Sequence, residues 1–111
     1  MAAERKTLLV MHTKISITAG VPVQLNSTPL LSTSITMESS RDNTGLIFVS
    51  DSEVNALAGA LAHTVEPCAK FVLTGDPHKG QVYPIDLSDV WVDATTDSVL
   101  IVSYIRRANA A

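Results

Sequence analysis

Hydrophobic and polar residues alternate along most of this chain in short runs. Leu8, Val10 and His12, then Ile15 and Ile17, predict a strand with a break or register change near Thr13. Val21, Val23 and Leu25 alternate after Gly20, and Pro22 marks that run as an edge strand, because proline cannot donate to the ladder. Leu31, Thr33, Ile35 and Met37 alternate with Ser32, Ser34 and Thr36, the pattern of a half-buried strand. The turn cluster Arg41-Asp42-Asn43-Thr44-Gly45 precedes the continuous apolar run Leu46–Val49, which suits a strand covered on both faces. The segments around this turn read as a hairpin.

Residues 51–62 carry two readings. Ser50-Asp51-Ser52-Glu53 has capping-box form, and Val54, Leu57 and Leu61 have helical spacing. Gly59 weakens a helix by about 1 kcal/mol relative to Ala, so a short helix near 52–62 and an irregular crossing loop stay open. Ala69–Thr74 is a further strand, Val82, Ile85 and Leu87 lead into Val90-Trp91-Val92, and Ser98–Ile105 forms a long last strand. About eight short antiparallel strands at roughly 8–12-residue spacing predict one all-β domain over residues 1–111, a β-sandwich of jelly-roll type. Residues 1–6 and 108–111 read as tails.

Composition sharpens this reading. Val, Ile and Thr together fill 30 of 111 positions, and such side chains favour a pleated surface. The length allows a single core. The net charge of -3 implies no basic nucleic-acid surface. The charges are nevertheless uneven: Arg5, Lys6 and Lys14 stand near one end, Arg106 and Arg107 near the other, and five Asp face only Lys79 between 76 and 97. The split reads either as two solvated regions or as complementary contact surfaces between subunits. Cys68 is alone, which excludes an intrachain disulfide, and it reads as a buried inert thiol. The run Leu8–Met11 is too short for a signal peptide's apolar region or a membrane span.

No motif supports catalysis. Gly75 and Gly80 have the end spacing of a phosphate loop, but Gln81 follows where Lys and then a hydroxyl residue are required. His12, His63 and His78 form no paired metal-ligand spacing. Asp86, Asp89, Asp93 and Asp97 could offer hard oxygen ligands to calcium but lack the calcium-loop pattern. The five aromatic residues, Phe48, Phe71, Tyr83, Trp91 and Tyr104, are spread over predicted strands and read as core anchors. No cofactor is expected.

Two stretches carry a resemblance. Asn43-Thr44-Gly45-Leu46-Ile47-Phe48-Val49 is similar to an N-T-G-x-I-x-V hairpin of small virion proteins of tailed bacteriophages. Ile85-Asp86-Leu87-Ser88-Asp89-Val90-Trp91-Val92-Asp93 resembles their closing I-D-L-S-D-I-W-V-D segment. Glu66-Pro67 resembles their E-P-G turn, with Cys68 where glycine is usual. The resemblance spans about residues 15–105. It implies a β-sandwich capsid cement (decoration) protein or head-fibre-base protein, assembled as a homotrimer on the major capsid protein and carrying no catalytic residue. The expected localisation is the capsid surface of a virion, after synthesis in the host cytoplasm. No direct nucleic-acid or membrane contact is expected. Arg5, Lys6, Lys14, Arg106 and Arg107 are the candidate capsid or subunit contacts. The alternatives are a tail or head-fibre-base adaptor and a carbohydrate-binding jelly roll, the latter using Trp91 and Tyr83 as sugar platforms.

Overall fold

The computed structural model describes the backbone of residues 7–78 and 81–108, and side-chain surroundings for 10–75 and 84–105. The strands in chain order are β1 (Thr7–Ile17), β2 (Val23–Gln24), β3 (Leu31–Ser32), β4 (Ser34–Ser39), β5 (Ile47–Ser50), β6 (His63–Val65), β7 (Lys70–Thr74), β8 (Asp76–His78), β9 (Gln81–Tyr83), β10 (Ile85–Asp86), β11 (Trp91–Ala94) and β12 (Ser98–Ala108). One helical turn, α1 (Glu53–Ala56), continues into a 3-10 turn at Leu57–Gly59, and a second 3-10 turn spans Leu87–Asp89.

The pairing is nested. β1 pairs with β12, β2 with β11, β3 with β10, β4 with β7 and β5 with β6, all antiparallel. The chain is thus one long hairpin whose tip is the α1 segment, with β8–β9 as a small inserted hairpin. Rolling this hairpin adds the β12–β4 and β11–β5 pairings. The result is two four-stranded sheets, β1-β12-β4-β7 and β2-β11-β5-β6. This is a jelly roll. Seven of its eight main strands fall on runs expected from the alternation; β6 was not among them, and the expected Val82–Leu87 run instead supplies parts of the short strands β9 and β10.

The core lies between the two sheets. Ile35, Met37, Leu100 and Val102 from one sheet meet Ile47, Val49 and Val92 from the other, each at most 3% exposed. Along β4 the expected alternation holds, with Ile35 and Met37 buried and Ser34 and Thr36 half-buried. Phe48 points to the other face of its sheet, where Gly59 sits against its ring. That accounts for the unbroken apolar run in β5.

Four local expectations are corrected. β1 has no break at Thr13: it pairs without interruption with β12 over 11 positions. Val10 and His12 therefore share the outer, exposed face with Lys14, while Ile15 and Ile17 point inward. The register change falls instead at Thr33, between β3 and β4. There the buried Ser32 hydroxyl accepts N–H groups from Ser34 and Ile105 and donates to the Ser34 carbonyl. Leu31 is turned outward as a result, 57% exposed.

The segments around Arg41–Gly45 do not form a hairpin, because β4 and β5 lie in different sheets. Buried Asn43 ties this crossing to β12, donating to the Val99 carbonyl and the Ser39 hydroxyl and accepting the Val99 N–H. Gly45 packs against the Thr95 and Thr96 hydroxyls, where a Cβ would collide. Cys68 is exposed rather than buried. It sits in the β6–β7 turn at φ +67°, a left-handed conformation that explains why glycine suits this position.

The molecule is elongated, 54 × 28 × 22 Å with a radius of gyration of 15.2 Å, against about 13 Å for a compact chain of this length. One cause is the β1–β12 ribbon. β4 pairs with β12 only as far as Tyr104, so the four rungs from Val10–Ile105 to Thr7–Ala108 extend past it, about 13 Å of two-stranded ribbon. Ala108, expected in a tail, is the last residue of β12.

Candidate functional site

The sequence candidates separate in space. Arg5 and Lys6 lie outside the described residues. Arg106 and Arg107 stand in register with Leu9 and Leu8 on the ribbon. Lys14 is exposed on the outer face of β1, opposite Ile101, five positions and about 17 Å from the Arg106 rung. It lines a polar groove of about 560 Å³ shared with Asp42 and Asp97, and so does not join the ribbon cations in one patch.

The aspartate series is also dispersed by its bonding. Asp86 Oδ1 accepts the N–H groups of Leu30 and Ser88 and the Ser88 hydroxyl. The Leu30 N–H, followed by these Ser88 donors, holds its carboxyl below the ordinary value of 3.8. Asp97 accepts the Ala19 N–H. Asp93 is fully buried: Oδ1 accepts the N–H groups of Gly20 and Ala94, and Oδ2 that of Ala58. This carboxylate pins the helical crossing onto the back of β11 and holds Ala58 at φ +51°. Only Asp89 is exposed without such a bond. Among the described residues no group of three or more His, Cys, Asp or Glu side chains could hold a metal ion.

The site that sequence reasoning missed is an apolar cleft of about 580 Å³ at the open side of the sandwich. It arises because β6 has three residues and β7 has five. The shorter strand cannot cover the inner face of the longer one, and Phe71 and Leu73 stay half-buried. Leu61, His63, Ile85 and Val90 complete the walls, and Asp51 and Asp89 stand at the lining's polar positions. The His63 and Phe71 rings stack, with centroids 4.6 Å apart. Asp51 is held ionised below the usual carboxylate range, chiefly by the Asn55 side-chain amide. Both carboxylates are exposed, so the cleft is apolar inside and anionic at its mouth.

An apolar patch adjoins it. Val54, Leu57 and Leu61, which have helical spacing, are 76%, 46% and 70% exposed. The helix is too short to present a stripe: Ser52 caps it by accepting the Asn55 N–H, and only Ala56 is buried. The signal for the cleft was present in the short run His63-Thr64-Val65, but which strand it fails to cover depends on pairings invisible in one sequence. Trp91, one of the two candidate sugar platforms, is half-buried on the back of its sheet between Gln24 and Ser50. The Tyr83 side chain lies outside the described residues.

No family model matches this chain, and no curated protein shows significant similarity to it.

Proposed function

We propose that this jelly roll is a structural virion protein, a capsid cement protein that binds as a homotrimer across neighbouring major capsid subunits. The observation that carries the reading is the β1–β12 ribbon. It extends beyond the sheet, is without a strand partner on the outer edge of its 11-residue β1 among the described residues, and bears Val10 at 62% exposure. A long free edge invites strand addition unless a partner covers it. The exposed apolar patch at Val54, Leu57 and Leu61 is a second surface of the kind that marks protein contacts.

The phage-like segment Ile85–Asp93 supports the same reading. Its residues build the fold: Asp86 caps the 3-10 turn, Leu87 and Val92 are core, and Asp93 is the buried anchor. In this role the protein adds buried area at capsid junctions and so opposes pressure from packaged DNA. Fold alone does not decide function, and the jelly roll also serves lectins. The test is co-purification with phage heads. Retention on heads through a density gradient supports the proposal, and absence from virions rejects both it and the adaptor alternative. Binding to a glycan instead favours the sugar-binding alternative.

A further inference from the structure

The cleft lies beside an open strand edge. β7 pairs with β4 on one side and, among the described residues, has no strand on the other. Its register with β4 sets what that edge presents. The Ala69 carbonyl accepts the Ser39 N–H, and the Gly75 N–H donates to the Thr33 carbonyl. Bonded and non-bonded pairs alternate along an antiparallel ladder, so Phe71 and Leu73, in phase with Ala69 and Gly75, also bond to β4. Lys70, Val72 and Thr74 therefore turn their N–H and C=O groups to the open edge. The side chains divide in the same rhythm. Phe71 and Leu73 point into the cleft, while Lys70, Val72 and Thr74 are exposed on the outer face. The cleft lining holds two carboxylates, Asp51 and Asp89, one histidine, His63, and no Lys or Arg among the described residues.

We propose that the β7 edge and its cleft bind an extended segment of another protein, with apolar side chains at alternate positions and Lys or Arg flanking them. The segment adds a strand to the sheet: main-chain bonds to Lys70, Val72 and Thr74 hold it, and the cleft reads its alternate side chains. Residues directly opposite Phe71 and Leu73 share their face, so two apolar side chains spaced by one residue enter the cleft and cover Leu61, Phe71 and Leu73. A Lys or Arg two positions further along lies on the same face and meets Asp51 or Asp89. Lys70 does not oppose it, because it stands on the outer face opposite Glu38. Charge pairing at such a rim mainly sets partner choice and association rate. The inference deepens the proposed attachment by naming the kind of segment the attached protein presents, and it rests on that reading only for which protein presents it.

Amide NMR titration of the full chain with the blocked peptide Lys-Thr-Leu-Thr-Val-Thr-Lys tests the site. The expected shifts fall on Lys70–Thr74 and on the cleft lining. The peptide should bind about tenfold or more tightly than its counterpart with Glu at both ends at about 50 mM salt, a preference that shrinks at about 500 mM as screening shortens the reach of rim charges. Asp51→Asn with Asp89→Asn should abolish that preference. Val72→Pro removes an N–H that faces the edge and not β4, so the variant should stay folded by circular dichroism and bind about tenfold more weakly. N-methylating the peptide's threonines should weaken binding as much with the protein unchanged. Absence of shifts up to about 1 mM peptide, equal binding of the Glu peptide, or equal binding of the N-methylated peptide each overturns the inference. Self-association by sedimentation that Val72→Pro abolishes places a second copy on this edge and overturns its assignment to another protein. The outcomes separate from those of the proposed function: peptide binding as described by a protein absent from phage heads rejects the cement role alone. Retention of folded Val72→Pro on heads at wild-type level rejects the edge as the attachment site alone.

Discussion

Replacing Asp93 with Asn tests how the crossing segment is held. The carboxylate has no exposed surface and accepts three backbone N–H groups, from Gly20, Ala94 and Ala58, at 2.8–2.9 Å. An amide has one acceptor oxygen. Turned toward Gly20 and Ala94, it leaves its NH₂ facing the Ala58 N–H, two donors with no acceptor. A hydrogen bond to a charged group contributes about 1.5–3 kcal/mol, and an unsatisfied buried donor costs about 1–3 kcal/mol. The expected loss for Asp93→Asn is therefore about 2–4 kcal/mol, a large share of the roughly 5–15 kcal/mol that holds a domain together. With a urea slope of about 1–1.5 kcal/mol/M, the unfolding midpoint should fall by about 1.3–4 M. Asp89→Asn, at an exposed position without such bonds, should stay within about 0.5 kcal/mol of wild type. Urea titrations followed by Trp91 fluorescence read both. Equal midpoints for the two variants would refute the claim that Asp93 anchors the crossing.

Gly59 combines φ +69° with a ring carbon of Phe48 2.7 Å from where a Cβ would stand. Gly59→Ala should cost about 2–4 kcal/mol, through left-handed strain and overpacking together, and a melting temperature unchanged by calorimetry would contradict this. Cys68→Gly removes a side chain from a φ of +67° and should leave stability equal or up to about 1 kcal/mol higher. The native thiol should react with a thiol reagent without unfolding, since it is exposed; reaction only in denaturant would count against the turn as described. Asp86 supplies a pH dependence. Its carboxyl is depressed in the folded state by the Leu30 and Ser88 donors, so the unfolded chain binds more protons. Its contribution is complete above the ordinary value of 3.8 and is lost as pH falls through the folded value. The stability gap between wild type and Asp86→Ala should therefore be widest near neutral pH and narrow below about 3.8. A gap independent of pH would show that the carboxylate charge is not what matters.

The architecture was legible where burial alone decides. The alternation of Ile35 and Met37 with Thr36 fixes which face turns inward, and the unbroken Ile47–Val49 run signals cover on both sides. Pro22 marked the edge, and β2 is indeed the edge of its sheet. The failures share a cause, which is long-range hydrogen bonding. Ser32 looks outward-facing in the pattern, yet its hydroxyl is recruited by Ile105, 73 residues away. Asn43 has the look of a turn residue, but its amide bonds across 56 residues to Val99 and makes the turn a crossing between sheets. Val54, Leu57 and Leu61 satisfied a helical spacing over too few residues to form a face. The cleft left only the short run His63-Thr64-Val65 as a signal, because the strand it fails to cover is set by long-range pairing. The basic ends were visible as composition, whereas the cleft, with Asp51 and Asp89 in its lining, required knowing that β6 lies across from β7.

The capsid role rests most directly on location. A cryo-electron microscopy reconstruction of phage heads carrying this protein should show density for a two-sheet jelly roll about 54 Å long on the outer capsid surface, three copies around each site, each bridging neighbouring major capsid subunits. Heads without that density, from a stock that expresses the protein, would contradict the account.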